Sequence, residues 1–184
     1  MSDVTEKCLD TFPAWLRSLG DDVSVVLAAA GAEGLSPHVK AQLVAGINYV
    51  FKSLDLIPDG IDDIGYLDDA FVLRVSANLV QEDLPESLGA DHLAALQQLA
   101  SQCQLIESFL GGEVYGRLRQ YTHEQRRSTV RGRTAEGIAA DREVWREFGS
   151  EVRIFLEGYD GPSFAREERN LAKLRAFFDA KLPR

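Results

Sequence analysis

SPHVKAQLVAGINYVFKSLDLIPDGIDDIGYLDDAFVLRVSANL, residues 36–79, sets the fold class. It opens on Ser36-Pro37, an N-cap and N1 pair that predicts a helix from Pro37 to about Lys52. Val39, Leu43, Ile47, Val50 and Phe51 place apolar surface on more than one face of that helix, which marks it as central. The middle of the stretch cannot stay helical. Pro58 disfavours helix at Ile57 and Asp59-Gly60 favours a turn, so residues 54–67 read as a compact connection. A second helix then starts at Asp68 or Asp69. With Asp68 as N-cap, Leu67 and Val72 have the spacing of a hydrophobic staple, and the helix runs through Leu73, Val75 and Leu79 to about Asp83, where Pro85 stops it.

Working outward, almost every other segment also has helical period, and no run alternates in the strand manner for more than a few residues. Before the central helix, Val4, Cys8, Trp15 and Leu19 share one side of a first helix, with a kink or restart expected at Pro13. Asp21 or Asp22 caps a short second helix, Val23 to Ala30, that Gly31 and Gly34 end. After residue 88, Asp91 caps a helix carrying Leu93, Leu96, Leu99, Cys103, Ile106 and Leu110, ended by Gly111-Gly112. A helix from Glu113 has Val114, Leu118 and Tyr121 on one face and is expected to leave the core beyond Tyr121. Thr134 caps the next, with Ile138, Trp145, Phe148, Val152, Phe155 and Tyr159 at heptad-like spacing. Asp141 falls on that apolar stripe and needs a partner if buried. A last helix puts Phe164, Leu171, Leu174, Phe178 and Leu182 inward. The expectation is an all-α, single-domain helical bundle of about 7–8 helices over residues 1–184, with residues 89–184 an amphipathic helical extension packed on residues 1–88.

The chain has 184 residues, 45 % hydrophobic and 27 % charged, with 15 Gly and 6 Pro, which suits a globular protein with a core and excludes disorder, collagen and a disulfide scaffold. Its longest charge-free apolar run, Ala41 to Phe51, would reach only about half of a roughly 30 Å hydrocarbon layer. The start of the chain lacks a basic region followed by an apolar one, so a cytoplasmic location is expected. Cys8 and Cys103 read as two reduced thiols on apolar helix faces. Net charge is −9 and uneven: residues 1–112 carry 17 acids against 5 bases, residues 113–184 carry 12 against 15, and the two parts should attract each other. So negative a field opposes nucleic acid and anionic lipid.

Chemistry concentrates between Asp55 and Asp69. Asp55, Asp59, Asp62, Asp63, Asp68 and Asp69 lie within fifteen residues that contain no base. The interspersed aliphatics draw them together, so their repulsion must be offset. Backbone N–H groups at caps and turns, arginines from elsewhere, or a hard cation held by oxygen ligands would each do so. The cation reading uses Asp55, Asp59, Asp68 and Asp69 with Mg²⁺ or Ca²⁺.

Tyr49-Val50-Phe51, Ser53-Leu54, Asp55-Leu56-Ile57-Pro58-Asp59 and Gly65-Tyr66-Leu67-Asp68-Asp69, with the apolar run that follows, resemble the YkvA-like domain of unknown function, a small helical bacterial domain built around a two-part segment of this kind. The resemblance covers about residues 39–80 and implies a helical fold neighbourhood without an assigned activity. Three departures stand out: Lys52-Ser53-Leu54 in place of a Ser-Pro pair, Gly60 in place of a bulky apolar residue, and Asp62-Asp63 in place of a Pro and an apolar residue. The last makes this segment more acidic and less suited to lipid.

A second constellation is basic. On one continuous helix Arg119, Arg126 and Arg133 would repeat every seven residues and line one side, which reads as a solvated face with pairs such as Glu113–Arg117 or, alternatively, as a row fit to dock a phosphate or an acidic surface, the acidic segment of the same chain or of a homodimer partner included. His38, His92 and His123 fall on separate helices without metal-ligand spacing and read as surface or cap residues. The functional expectation is a non-enzymatic binding or scaffold module that uses segment 55–69 for an ion or a protein partner. The alternatives are a metal-dependent enzyme acting on an anionic or phosphorylated substrate through the same aspartates, and a peripheral membrane-associated protein.

Overall fold

The computed structural model describes residues 3–52, 56–58, 60–61 and 64–184. The fold is all-α. Among the described residues its helices are α1 (Asp3–Ala30), α2 (Pro37–Tyr49), α3 (Leu67–Leu79), α4 (Ala90–Ser101), α5 (Cys103–Leu110), α6 (Gly112–Glu124), α7 (Ala135–Ala140), α8 (Arg142–Gly158) and α9 (Glu168–Lys181), with a 3-10 turn at Gln81–Asp83. Among the described residues the only extended pairing is an isolated bridge between Val130 and Arg133. Among the described residues no helix is long and apolar enough to cross a membrane.

α2 and α3 are the axis of the bundle. α2 packs on α1, α3 and α7, and α3 packs on α4, α5 and α6 as well. Every residue from Ala41 to Tyr49 is buried, as the two-faced apolar pattern of that helix requires. The Ser36 hydroxyl accepts the Val39 N–H at 3.3 Å and Pro37 occupies the first turn. α2 and α3 approach closely at Gly46, where a Cβ would lie 2.8 Å from Cβ of Ser76.

The observed boundaries correct several expectations. The first helix neither restarts at Pro13 nor yields to a second at Asp21-Asp22; α1 runs unbroken through both. Leu9, Phe12, Leu16, Leu19, Val23, Val26 and Ala30 form one buried stripe at steps of three and four, and burying it outweighs the roughly 3 kcal/mol that an interior proline costs. Asp22 stays helical because its carboxylate accepts the Ser18 hydroxyl at 3.0 Å and the Arg74 guanidinium at 2.8 Å. Gly89, not Asp91, is the N-cap of α4, and the single helix expected over 91–110 divides at Gln102, whose Oε1 accepts Nε of Arg74 at 2.6 Å. Thr134 caps α7 as expected, accepting the Gly137 N–H. Asp141 is exposed, not buried: it ends α7 and caps α8, accepting the N–H groups of Glu143 and Val144. The chain beyond Tyr121 does not leave the core, since Gln125, Arg126 and Val130 are buried.

Cys8 and Cys103 are free and buried, and burial pushes each thiol up to about 11. The expected attraction between the two parts of the chain is only partly an affair of ion pairs. Among the described residues Arg166–Asp10, at 2.9 Å and on the surface, is the one ion pair across that boundary.

Candidate binding site at the acidic elbow

The connection between α2 and α3 is built around one carboxylate. Asp68 is wholly buried in the first turn of α3, and its Oδ2 accepts the Tyr49 hydroxyl at 2.8 Å and the backbone N–H groups of Leu56 and Ile57, each at 3.1 Å. The Tyr49 oxygen in turn accepts from Leu56 N–H at 2.9 Å. Tyr49 ends α2, so these bonds tie the end of one helix, the Leu-Ile-Pro turn and the start of the next. Three donors on one oxygen answer the desolvation of a buried charge, with the N–H groups supplied by a turn that cannot make helical bonds. Burial and the adjacent Asp68 charge hold the Tyr49 phenol well above its ordinary value, so it remains a donor.

Asp68 is therefore not the N-cap of α3. That position belongs to Tyr66, which has a left-handed backbone with φ of 63° and makes no side-chain cap. Its ring packs edge-on against Tyr159 at 5.8 Å, and the Tyr159 hydroxyl donates to the Leu16 carbonyl at 2.6 Å. Those contacts anchor a conformation that costs a non-glycine residue about 1 kcal/mol or more. Asp69 is also buried, and its charge adds to the burial that raises the Tyr159 phenol. A cationic edge borders the site: Lys52 Nζ donates to the Tyr121 hydroxyl at 2.8 Å and to Oε1 of Gln125 at 2.9 Å, and lies over both the Tyr49 and Tyr121 rings.

Of the four aspartates assigned to a cation, Asp68 and Asp69 are thus buried at the start of α3, whereas Asp55 and Asp59 lie outside the described residues, as do Asp62 and Asp63. Among the described residues no three carboxylate, imidazole or thiol side chains converge.

The arginines do not form the expected row. α6 ends at Glu124, so Arg126 and Arg133 leave the helix that carries Arg119, and Gly132 and Arg131 take left-handed turns between them. Arg119 donates to the Asn78 side chain, and Arg133 pairs with Glu151 at 2.6 Å. Arg126 meets a grouping that the sequence did not disclose. Its Nη1 lies 2.6 Å from Nδ1 of His38 and its Nη2 lies 2.7 Å from Nε2 of His123. The signal was faint because 88 residues separate Arg126 from His38, and periodicity within one helix says nothing about such pairs.

No curated protein and no solved structure matches the chain. Residues 39–74, which span α2, the elbow and the first half of α3, match a family described as a protein of unknown function, DUF1232, in agreement with the resemblance of this segment to the YkvA-like domain.

Proposed function

We propose that this protein is a non-enzymatic binding module whose recognition element is the acidic segment 55–69, taking a divalent cation such as Mg²⁺ or Ca²⁺ or the basic surface of a protein partner. The observation that carries the reading is the Asp68 hub. It clamps residues 56–57 to the end of α2 and the start of α3, so the aspartates that adjoin these residues in sequence are attached to a braced frame. A turn clamped in this way at residues 56–57 has little conformational freedom left to lose on binding, which favours recognition. Among the described residues Arg119, Arg126 and Arg133 make their side-chain contacts with Asn78, with His38 and His123, and with Glu151, away from the elbow, which supports a cation brought from outside the chain.

Thermal unfolding in Mg²⁺, Ca²⁺ or Mn²⁺ against chelator tests the ion form, with the Asp55→Asn/Asp59→Asn double variant as control. An ion at 100 times its Kd adds about 2.7 kcal/mol, several degrees in Tm, and the variant should lose that gain. If none of the three ions moves the melt, the ion form is wrong. The partner form then requires salt-sensitive association with a basic peptide that the double variant weakens, and fails without it.

A further inference from the structure

We infer that Arg126, His38 and the small cavity beside them form a binding site for a short aliphatic carboxylate. Arg126 is 9 % exposed, and among the described residues no carboxylate lies within ion-pairing distance of it. Buried guanidinium groups are ordinarily paired with an acid. A guanidinium has no acceptor, so both imidazoles must accept from it, His38 through Nδ1 and His123 through Nε2; its Nε donates to the His123 carbonyl at 3.2 Å. Three of five N–H groups are thereby used on neutral acceptors. Two remain, and the positive charge is unanswered.

The adjoining cavity, about 230 Å³, shows what would answer it. Arg126 and His38 contribute polar groups to its lining, while Pro37, Ala41, Ala139 and Ala140 contribute methyl and methylene groups. Glu136 also borders it, with its carboxylate turned to Arg127 at 3.2 Å. His38 belongs to the first turn of α2, whose positive end adds to the attraction for an anion. The volume is below the roughly 300–1,000 Å³ of pockets for larger ligands. An occupant needs one planar anionic head to take two guanidinium N–H groups and a tail of a few carbons to cover the alanines. Inorganic phosphate satisfies the first demand and wastes the second.

The test is titration of the whole chain with sodium butyrate, inorganic phosphate and sodium chloride at matched ionic strength, followed by the imidazole resonances of His38 and His123 and by Tm. Butyrate should perturb both imidazoles saturably and raise Tm, whereas chloride should do neither. Arg126→Met should abolish the response. Ala139→Leu, which fills the tail space at a half-exposed position and keeps the guanidinium, should weaken it about tenfold or more, and decides the matter should Arg126→Met fail to fold. No saturable response to butyrate, a stronger one to phosphate, or an unchanged affinity in Ala139→Leu would each overturn the assignment.

Discussion

At the scale of single residues, the fold places charge where sequence spacing would not. Arg74 is 1 % exposed, yet its guanidinium donates to Asp22, Gln102 and the Ala70 carbonyl and lies 4.2 Å from the Trp15 ring centre, so one side chain joins α1, α3 and the α4–α5 break. His123 is held in the opposite sense. Burial, then the charge of Arg126, push its imidazole below the ordinary value near 6.5, against a smaller upward pull from Glu124, and Arg127 also lowers it. Below that ordinary value the unfolded chain binds a proton that folded His123 refuses, so stability falls with falling pH until the folded group titrates too. Urea unfolding at stepped pH between 7.5 and 5.5 should therefore show a steeper loss of stability in the wild type than in His123→Gln, whose amide oxygen can still accept from Arg126. Parallel pH profiles would show that His123 does not experience this depression.

Between elements, the tightest constraint is the crossing of α2 over α3. An alanine methyl at Gly46 would stand 2.8 Å from both Cβ and Oγ of Ser76 and 3.4 Å from Cα of Leu73, and neither helix can recede because each is packed on its other side as well. Gly46→Ala should lower stability by about 1–3 kcal/mol in chemical denaturation, the usual cost of overpacking. Adding Ser76→Gly should recover part of it, although the Gln42–Ser76 contact at 3.4 Å is lost. A double-mutant cycle reads that coupling, and purely additive effects would place the strain elsewhere. Elements were legible in the sequence to the extent that local chemistry decided them. Ser36-Pro37, Thr134 and the turn at Pro58 act through their own backbone neighbours, and the structure keeps all three. Pro13 and Asp21-Asp22 looked like breaks because their local cost is visible, whereas what overrides it is tertiary: the helices that cover the buried stripe of α1, and the Arg74 partner that α3 supplies. Asp68 has the same history. The staple spacing made it an N-cap, but the Tyr49 hydroxyl and two turn N–H groups compete for the same oxygen and hold it inside. Its burial was foreseeable in part, since a crowded acidic elbow has to find donors; which donors depended on how α2 ends.

For the whole molecule, the question is whether residues 1–88 are a unit that residues 89–184 merely decorate. The contacts argue against decoration. Phe12 meets Phe109 edge-on at 5.2 Å, Phe71 stacks on Phe178 at 5.2 Å, and Phe51 packs on Phe148 and Phe155, so aromatic pairs from α1, α3 and the end of α2 are completed by α5, α8 and α9. Gln42, buried on α2, reaches the Thr122 carbonyl of α6 at 3.3 Å. Cutting the chain at residue 88 would expose these rings and leave the polar groups of α2 without their partners, a large fraction of the 5–15 kcal/mol by which domains are ordinarily stable. The full chain should therefore unfold in one transition with calorimetric and van't Hoff enthalpies in agreement. A fragment of residues 1–88 should lack a cooperative melt and the near-ultraviolet signature of fixed aromatic rings, while still containing the whole 39–74 segment. A fragment that melts cooperatively alone, or a full chain that melts in two steps, would instead make the acidic elbow the property of an independent N-terminal domain and free the extension from any part in bracing it.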